Sequence, residues 1–442
     1  MRWSETIYAR LTGKEQGRAS VAVVGLGYVG LPLALAFSRC FRVVGYDTDS
    51  RRIAQLRDGI DASGSFGADD FRGRDILFTA SGEALADAAF YIVAVPTPVD
   101  AGRRPDLSCL DEATRTVGRC LRPGDCVVFE STVWPGCTEE RCVPLLESVS
   151  GLVAGRDFKV GYSPERINPG DREHTLSRTV KVVAGCDAET LDGVAAVYGR
   201  VIGAGVFRAA SIRVAEAAKM LENVQRDVNI ALMNECAVLF RELGIDTAAT
   251  LEAAATKWNF VRVAPGLVGG HCIGVDPYYL LEKAAGTGVR IPVVQSARAV
   301  NEGMVGYVAR ALLDELRAGD ATISPPLAGW RVLQLGITYK ENVADCRNSK
   351  AAELFGELTR AGVEVDAADP CADAARVREM YGIELAERLR PPYDLVLVAV
   401  PHDAYRSLGE EYFLSIVKPG GCVADLRSIY RDKIRTLRYW SL

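Results

Sequence analysis

The sequence of 442 residues has little that could bind a metal ion. It contains only three histidines, His174, His271 and His402, and no two of them have the spacing of metal ligands. Its twelve cysteines stand without a close-spaced pair. Since zinc sites and disulfide frameworks are recognised by such spacings, we expect neither a metal site nor disulfide bonds.

The sequence also lacks a strong charge excess and a long uninterrupted apolar run. A formal net charge of -5 argues against a nucleic acid or an anionic membrane as partner. The longest apolar stretch, residues 21–37, is broken by three glycines and Pro32, which suits a strand, turn and helix better than a membrane span. The first 20 residues lack the apolar core of a secretory signal, so we expect a cytoplasmic protein.

Short apolar runs alternate with helical patterns, which predicts the α/β class. We expect two Rossmann-like, doubly wound α/β domains joined by a long central helix and a helical middle domain. Their predicted bounds are 1–211, 212–318 and 327–442, with a linker at 319–326. Residues 212–243 contain no Gly or Pro and predict one helix of roughly 45 Å. The predicted strands are 21–24, 42–46, 90–95, 126–129, 180–183, 330–335, 364–367, 394–400 and 421–424.

The first predicted strand leads into a Gly-Leu-Gly-Tyr-Val-Gly sequence at residues 25–30. Gly25 permits a tight turn, Gly27 lets the backbone approach a pyrophosphate, and Gly30 lets helix and strand pack closely. Asp47 ends the next strand, where it would accept hydrogen bonds from ribose hydroxyls and repel a 2′-phosphate. Three glycines alone also occur in structural turns, but together with the strand, helix and acid they predict NAD binding. We also expect Tyr28, Val29 and Arg52 to contact this cofactor.

Two further predicted strands end in loops that could reach the cofactor. Pro96 and Thr97 follow the strand at 90–95, and Thr132 follows the strand at 126–129. Cofactors lie at the carboxyl ends of strands in such sheets. Either loop taken alone could also be a plain connection.

Two groups of polar residues are candidates for catalysis or substrate binding. Glu165 could act as a base and Arg166 could pair with phosphate or carboxylate, although a surface turn with a solvated ion pair explains the same pattern. Lys219 and Asn223 stand at i and i+4 of the long helix, so both point the same way. Their weakly polar surroundings suggest a partly buried lysine that could stabilise an oxyanion, while a solvated lysine is the alternative.

The Pro-Gly-Leu-Val-Gly-Gly-His-Cys sequence that ends at Cys272 is followed by Asp276, four residues later. The surrounding glycines, Gly269 among them, would let the backbone approach a substrate. A cysteine is usually a packing residue, but these glycines disfavour burial in a helix or strand. A thiol at this place could carry an aldehyde to the acid through a thioester. We expect His271 to be structural.

Together these segments, with Lys-Trp-Asn-Phe at 257–260, resemble the UDP-glucose/GDP-mannose dehydrogenase family over nearly the whole chain. The phrases at 163–171 and 265–279 look most like the branch that oxidises UDP-N-acetylhexosamines. The resemblance implies an NAD domain, a helical dimer-forming middle and a C-terminal UDP-binding domain. It also implies that two molecules of NAD are reduced for each UDP-sugar, in a homodimer or higher homo-oligomer.

The resemblance further implies individual roles. Cys272 would be the nucleophile, Lys219 and Asn223 would stabilise the oxyanion, and Asp276 would orient the lysine and its water. Thr132 and Glu165 would assist water and proton handling, with Glu165 as the candidate base. The remaining expected contacts are Arg347 to the cofactor, and Arg166, Arg262, Gly269, Lys340 and Arg427 to the nucleotide sugar.

The sequence departs from the family pattern at a few positions. Val275 stands where UDP-glucose dehydrogenases often have lysine, and Ala264 stands where an arginine is usual, with Arg262 two residues earlier. Cys137 adds a thiol near the cofactor edge. We expect a 6-dehydrogenase for a UDP-N-acetylhexosamine, UDP-N-acetylglucosamine favoured, serving polysaccharide synthesis. The alternatives are UDP-glucose, UDP-GalNAc or UDP-ManNAc as substrate, or a catalytically silent NAD- and nucleotide-sugar-binding regulator.

Overall fold

A computed structural model describes residues 3–12, 20–167, 171, 173–319 and 329–442. Residues 168–170 of the polar segment after Arg166, and residues 320–326 of the expected linker, lie outside these ranges. The chain divides into two compact units, Met1–Glu222 with Tyr278–Arg290 and Asn223–Pro277 with Ile291–Leu442. The division into three domains stays a prediction. No helix within the described ranges has the length and apolarity to cross a membrane.

The first unit contains a sheet of eight strands. These are β1 (Ser20–Val24), β2 (Arg42–Tyr46), β3 (Ile76–Thr79), β4 (Ala88–Val93), β5 (Cys126–Phe129), β6 (Lys159–Tyr162), β7 (Lys181–Gly185) and β8 (Val206–Arg208). Their order is β3-β2-β1-β4-β5-β6-β7-β8, and only the β6–β7 pairing within this sheet is antiparallel. Successive strands are added towards one edge of the sheet from β1 to β3 and towards the other edge from β4 on, so the topological switch point lies between β1 and β4. In doubly wound sheets this switch point is where ligands bind, at the carboxyl ends of the strands.

The first unit also contains helices. They are α1 (Trp3–Leu11), α2 (Gly30–Phe37), α3 (Ser50–Arg57), α4 (Ala68–Phe71), α5 (Ser108–Cys120), α6 (Val143–Ser150) and α7 (Ala188–Gly199). A 3-10 helix at Gly82–Asp87 and a π-helical turn at Thr138–Cys142 lie between them. The long helix α8 (Ile212–Glu242) begins in this unit and ends in the second. The prediction of one uninterrupted helix at 212–243 is confirmed.

The second unit has its own sheet, with all strands parallel. The strands are β9 (Arg331–Leu335), β10 (Glu364–Ala368), β11 (Tyr393–Val398), β12 (Val417–Asp425) and β13 (Arg438–Ser441), in the order β10-β9-β11-β12-β13. The helices of this unit, besides the end of α8, are α9 (Thr247–Ala254), α11 (Pro292–Gly319), α12 (Lys350–Arg360), α13 (Ala374–Tyr381), α14 (Asp403–Arg406) and α15 (Glu410–Ile416). Helix α10 (Asp276–Thr287) begins in this unit and belongs to the first unit from Tyr278 on. In this sheet β10 is added on one side of β9 and the later strands on the other, so its topological switch point lies between β9 and β11. The prediction of an α/β fold with two doubly wound sheets is confirmed.

The predicted strand bounds differ from the structure in identifiable places. β4 ends at Val93 instead of residue 95 because the Val95 amide donates to the Ser131 hydroxyl at 3.1 Å and leaves the ladder. The prediction missed β3, β6, β8 and β13. β6 contains a glycine and begins with a lysine, and β8 has three residues, so neither presents the long apolar run that identifies a buried strand.

Candidate active site

The glycine turn after β1 has the shape that a dinucleotide needs. Gly25 has φ +89°, and a Cβ there would lie 2.7 Å from the Ala94 carbonyl oxygen. A Cβ at Gly30 would collide with the Gly25 carbonyl. At Gly27, by contrast, an added Cβ would meet nothing within 4 Å. The outer glycines therefore permit close packing, while Gly27 leaves room beside the start of α2 for a pyrophosphate.

Asp47 is held at the end of β2 by backbone groups. Its Oδ2 accepts from the Leu26 amide at 2.8 Å and its Oδ1 from the Asp49 amide at 3.0 Å. Arg52 donates from Nε to the Leu26 carbonyl at 2.6 Å and lies 3.5 Å from Asp61. Asp47 is thus fixed beside the glycine turn as a ribose-binding carboxylate requires. Arg52 braces the turn, and its contact with the cofactor stays a prediction, as do those of the exposed Tyr28 and half-buried Val29.

The loops after β4 and β5 are joined by hydroxyl groups. The Ser131 hydroxyl donates to the Val95 carbonyl at 2.7 Å, and the Thr97 hydroxyl donates to the Thr132 carbonyl at 2.7 Å. Thr97 and Thr132 are half-buried and Pro96 is exposed. The first loop follows β4, which lies at the switch point, and the second follows β5, which pairs with β4. The structure therefore brings Thr97 and Thr132 together at the edge of the sheet that carries the glycine turn.

A buried carboxylate fixes the chain after Thr132. Glu216 of α8 accepts from the amides of Gly136 at 2.5 Å and Thr138 at 2.9 Å. Burial raises the pKa of Glu216 to about 6, against the lowering effect of these hydrogen bonds. Sequence reasoning missed this residue, because nothing in its helical pattern distinguishes it from a solvated glutamate.

Cys137 lies in the segment that Glu216 holds. Its thiol is buried against that of Cys142, and a hydrogen bond between the two side chains, together with burial, raises the pKa of Cys137 well above its usual range. A thiol kept protonated in this way is a poor nucleophile. Cys137 therefore fits a packing residue.

Three other candidate residues lie in the first unit. Lys219 on α8 is 7% exposed, so its predicted partial burial is confirmed. Glu165 is buried and 3.3 Å from the ammonium group of Lys181. Arg166 pairs with Glu222 at 2.9 Å and donates to the Val180 carbonyl at 2.9 Å. Arg166 thus has protein partners, and its contact with substrate stays a prediction.

Cys272 lies in the second unit, in a turn that leads into α10. The Cys272 carbonyl accepts from the Val275 amide at 3.1 Å and the Asp276 amide at 2.8 Å. The Asp276 carboxylate is buried and accepts from the Asn223 amide group at 2.5 Å. The half-buried Cys272 is therefore joined through its own turn to two predicted site residues. The expected pairing of Asp276 with Lys219 stays a prediction.

The glycines before Cys272 are needed because the loop packs closely on the segment after β9. A Cβ at Gly269 would lie 2.5 Å from the Asn348 carbonyl oxygen, and Gly270, with φ +83°, would place one 2.6 Å from the Tyr339 ring. The Gly270 amide donates to the Asn348 carbonyl at 3.1 Å. These contacts fix the backbone on the N-terminal side of the thiol.

Charged side chains also join the cysteine loop to the segment after β9. His271 Nε2 lies 2.9 Å from Asp345, which also pairs with Arg347 at 2.6 Å. Burial would raise the pKa of Asp345, but its hydrogen bonds from His271 and Arg347 lower it strongly. His271 has the structural position expected of it. The contact of Arg347 with the cofactor stays a prediction.

The other expected substrate residues differ in their surroundings. Arg427 follows β12 and donates to the Pro265 carbonyl at 3.5 Å, at the start of the cysteine loop. Lys340 is half-buried in the turn after β9 and accepts from the Thr338 hydroxyl through its carbonyl at 3.0 Å. Arg262 is exposed. Lys340 and Arg427 lie at the carboxyl edge of the second sheet, where a ligand of a doubly wound sheet is expected.

Beside the turn after β9 lies a cluster of three residues whose possible ligand atoms are within 4.8 Å of one another: Asp369 and Cys371, which follow β10, and His402, which follows β11. His402 Nδ1 accepts from the Asn342 amide at 2.9 Å, which places the ring proton on Nε2. Nε2 in turn faces Asp369 at 3.1 Å. Since both ring nitrogens have protein partners, the cluster fits a hydrogen-bonded brace of this turn better than a metal centre.

The two switch points and the glycine turn with its acidic partner define a nucleotide-binding oxidoreductase of the dinucleotide-dependent class. Comparison with known proteins gives the family. Models of the UDP-glucose/GDP-mannose dehydrogenase family match in three parts: the NAD binding domain at residues 19–202, the central domain at 213–303 and the UDP binding domain at 333–432. The chain belongs to this family and is an NAD-dependent nucleotide-sugar dehydrogenase.

Several known proteins resemble the chain over almost their full length. Protein CapL of Staphylococcus aureus is 46% identical over 96% of this chain and 99% of its own. The UDP-N-acetyl-D-glucosamine 6-dehydrogenase of Salmonella typhi is 44% identical over 92% of this chain and 96% of its own. Among solved structures, the UDP-D-ManNAc dehydrogenase of Pyrococcus horikoshii has a TM-score of 0.86 and 30% identity, covering 96% of this chain and 98% of that one.

Proposed function

We propose that this enzyme oxidises the C6 alcohol of a UDP-N-acetylhexosamine, with UDP-N-acetylglucosamine favoured, to the uronic acid. The observation that supports this most directly is the cysteine turn held to Asn223 and Asp276, because a thiol beside oxyanion-stabilising groups suits oxidation beyond the aldehyde. The substrate preference is supported by relatives from Salmonella typhi and Pseudomonas aeruginosa, each 44% identical and named for UDP-N-acetyl-D-glucosamine. UDP-glucose, UDP-GalNAc and UDP-ManNAc are the alternative substrates.

The first unit would hold NAD through the turn at Gly25, Gly27 and Gly30, with the ribose on Asp47 and the loops of Thr97 and Thr132 beside it. NAD, when bound, supplies the oxidising power for both steps, one NADH being formed in each. Lys340 and Arg427 would hold the nucleotide sugar at the carboxyl edge of the second sheet.

Cys272 divides the reaction into two oxidations. Lys219 and Asn223, one turn apart on α8, stabilise the C6 oxyanion as the alcohol becomes an aldehyde. The Cys272 thiolate adds to the aldehyde and keeps it bound as a thiohemiacetal, whose oxidation gives a thioester. Glu165 takes a proton from the water that cleaves the thioester, which releases the acid and the thiol.

We further propose that the chain forms a homodimer through the second half of α8. Leu232 and Leu239 are exposed on this helix, Leu243 is exposed directly after it, and Trp258, in the segment after α9, is 92% exposed. Such a concentration of large apolar side chains is typical of a protein interface. The twelve cysteines are not joined by disulfide bonds, which supports a cytoplasmic enzyme, and we propose that its product serves polysaccharide synthesis.

The experiment that tests this function counts NADH. The enzyme is supplied with NAD and a panel of UDP-hexoses, and NADH formed is compared with sugar consumed. We expect two NADH per sugar and the highest kcat/KM with UDP-N-acetylglucosamine. A ratio of one would exclude the thioester route, and binding without turnover of any sugar would favour the silent regulatory protein.

A further inference from the structure

Arg298 of α11 is an arginine in the interior of the second unit, where it is 2% exposed. Its Nη1 donates to Asp227 Oδ1 of α8 at 2.6 Å and to the Ile273 carbonyl at 3.4 Å, and its Nη2 donates to Glu302 at 2.5 Å. Arginine is almost never fully buried unless it is paired. The guanidinium group therefore joins two helices to the residue that directly follows Cys272.

The two carboxylates that hold Arg298 have further partners of their own. Asp227 is fully buried, and its Oδ1 also accepts from the Asn301 amide group at 2.7 Å. Glu302 accepts from the ammonium group of Lys350 at 2.8 Å, at the start of α12. Burial raises the pKa of Asp227, against the lowering effect of Arg298 and Asn301. Because a guanidinium group is planar and rigid, carboxylates held in this way restrict it to one orientation.

The turn that carries Cys272 is tied to helices on both sides. Within the turn, the Cys272 carbonyl accepts from the Asp276 amide at 2.8 Å. The Asp276 carboxylate ties the end of the turn to Asn223 of α8, and Arg298 ties the Ile273 carbonyl to α11. Since this carbonyl is only one residue from the thiol, its displacement would also move the Cys272 backbone. The orientation of Arg298 therefore bears directly on the position of the thiol.

We propose that Arg298 is a positioning residue for Cys272, which it holds in place for attack on the aldehyde through the Ile273 carbonyl. The proposal rests on the function of Cys272 as the nucleophile proposed above. In that step the thiolate sulfur forms a bond to C6 of the aldehyde, and the carbonyl oxygen takes the electron pair and then a proton. A displacement of about 1 Å in such a step can lower its rate by about 100-fold, so a residue that touches no substrate can still control it.

Arg298→Met keeps a long unbranched side chain but removes the hydrogen bond to Ile273. The first oxidation needs no thiol and should continue, while capture of the aldehyde should slow by about tenfold to 100-fold. Aldehyde would then escape, so NADH formed per sugar should fall from two towards one, and semicarbazide should trap the free sugar aldehyde. The KM for the UDP-sugar should change little, because the proposed nucleotide contacts Lys340 and Arg427 are not partners of Arg298.

A second measurement follows the position of the thiol without turnover. Methyl methanethiosulfonate labels the intact protein without substrate, and peptide mass spectrometry follows Cys272 alone among the cysteines. The limiting rate at high pH, where the thiol is ionised, reports on access to the sulfur. Because Cys272 is half-buried in the folded protein, loss of one tie should raise this rate. If NADH counting with the unsubstituted enzyme disproves the thioester route, the labelling rate still decides whether Arg298 positions Cys272.

Arg310→Met is the matched control, because Arg310 is exposed on the same helix. It should keep the labelling rate and the NADH ratio of the unsubstituted enzyme.

Arg298→Lys keeps the charge beside Asp227, but a single ammonium group does not replace the three contacts of the guanidinium. It should therefore show smaller changes in the same directions, and it decides the matter if Arg298→Met does not fold. The proposal is overturned if Cys272 is labelled no faster in the Arg298 variants than in Arg310→Met. It is also overturned if the variants form two NADH per sugar as the unsubstituted enzyme does, since a smaller folded fraction alone would leave this ratio unchanged.

Discussion

Asn234 makes two hydrogen bonds to the backbone of Gly266, accepting from its amide at 2.8 Å and donating to its carbonyl at 3.1 Å. The asparagine is buried on α8, and the glycine begins the loop that ends at Cys272. Asn234 also donates to Asn301 of α11 at 2.8 Å, and Asn301 donates to Asp227 at 2.7 Å. One side-chain amide therefore fixes the start of the cysteine loop to two helices.

Asn234→Ala should lower both stability and activity. The substitution leaves the Gly266 amide without its partner, at a cost of about 1–3 kcal/mol in the free energy of unfolding. Denaturant unfolding measures this loss, and the rate at which iodoacetamide labels Cys272 reports the disturbance of the loop. Asn229→Ala removes an amide from a half-buried position of the same helix and serves as control. Equal effects of the two substitutions would contradict the specific role of Asn234.

Alanine at Gly25 and at Gly27 should have different consequences. At Gly25 a side chain requires a strained φ and meets the Ala94 carbonyl, so Gly25→Ala should destabilise the fold. At Gly27 the chain has space for a methyl group, so Gly27→Ala should fold normally but lose NAD affinity by about tenfold or more, or about 1.4 kcal/mol. Thermal unfolding and NAD titration separate the two effects. Normal NAD binding by Gly27→Ala would refute the role of this glycine in the cofactor site.

The features that sequence predicted well depend on neighbours along the chain. The helix over 212–243 follows from the lack of Gly and Pro, and β2 and β5 have the predicted bounds because each is a short apolar run. The glycine turn and Asp47 were identifiable because both lie at strand ends with a known spacing. In each of these cases, residues close together in the sequence were sufficient for the prediction.

The polar contacts that fix the site depend instead on residues far apart in sequence. Lys181 is a charged residue at the start of the apolar strand β7, but its partner Glu130 is 51 residues away. Asn234 and Gly266 are 32 residues apart. No periodicity reports which distant polar groups meet in the interior, so these pairs could be found only from the fold.

The two thiols nearest the predicted chemistry should behave differently when replaced. Cys272→Ser should block turnover at or after aldehyde formation, since an alcohol side chain does not form the thioester. Cys137→Ser should remain active, because the Cys137 thiol is buried and its pKa is raised by Cys142 and by burial. NADH formation and trapping of the aldehyde distinguish these outcomes. Equal losses in both variants would mean that Cys272 is not the nucleophile.

Glu216 should make stability depend on pH. Because its folded-state pKa of about 6 exceeds the ordinary 4.5, the folded protein holds this proton more tightly than the unfolded chain. Its contribution to the free energy of unfolding therefore falls as pH rises from about 4.5 to about 6, by about 2 kcal/mol in all. Glu216→Gln removes this dependence. The difference in the free energy of unfolding between the two proteins should change with pH across this range. A difference that stays constant would contradict the assignment.

The proposed dimer should depend on the apolar side chains of α8. Leu239→Asp places a charge where 54% of the leucine surface is exposed, and a charge buried in an interface is strongly unfavourable. We expect sedimentation velocity to show a shift from dimer to monomer at micromolar concentration, with the secondary structure retained. Leu414→Asp is the control, since Leu414 of α15 is exposed to a similar extent, 50%, but is not on this helix. Loss of assembly in both variants, or in neither, would exclude the second half of α8 as the interface.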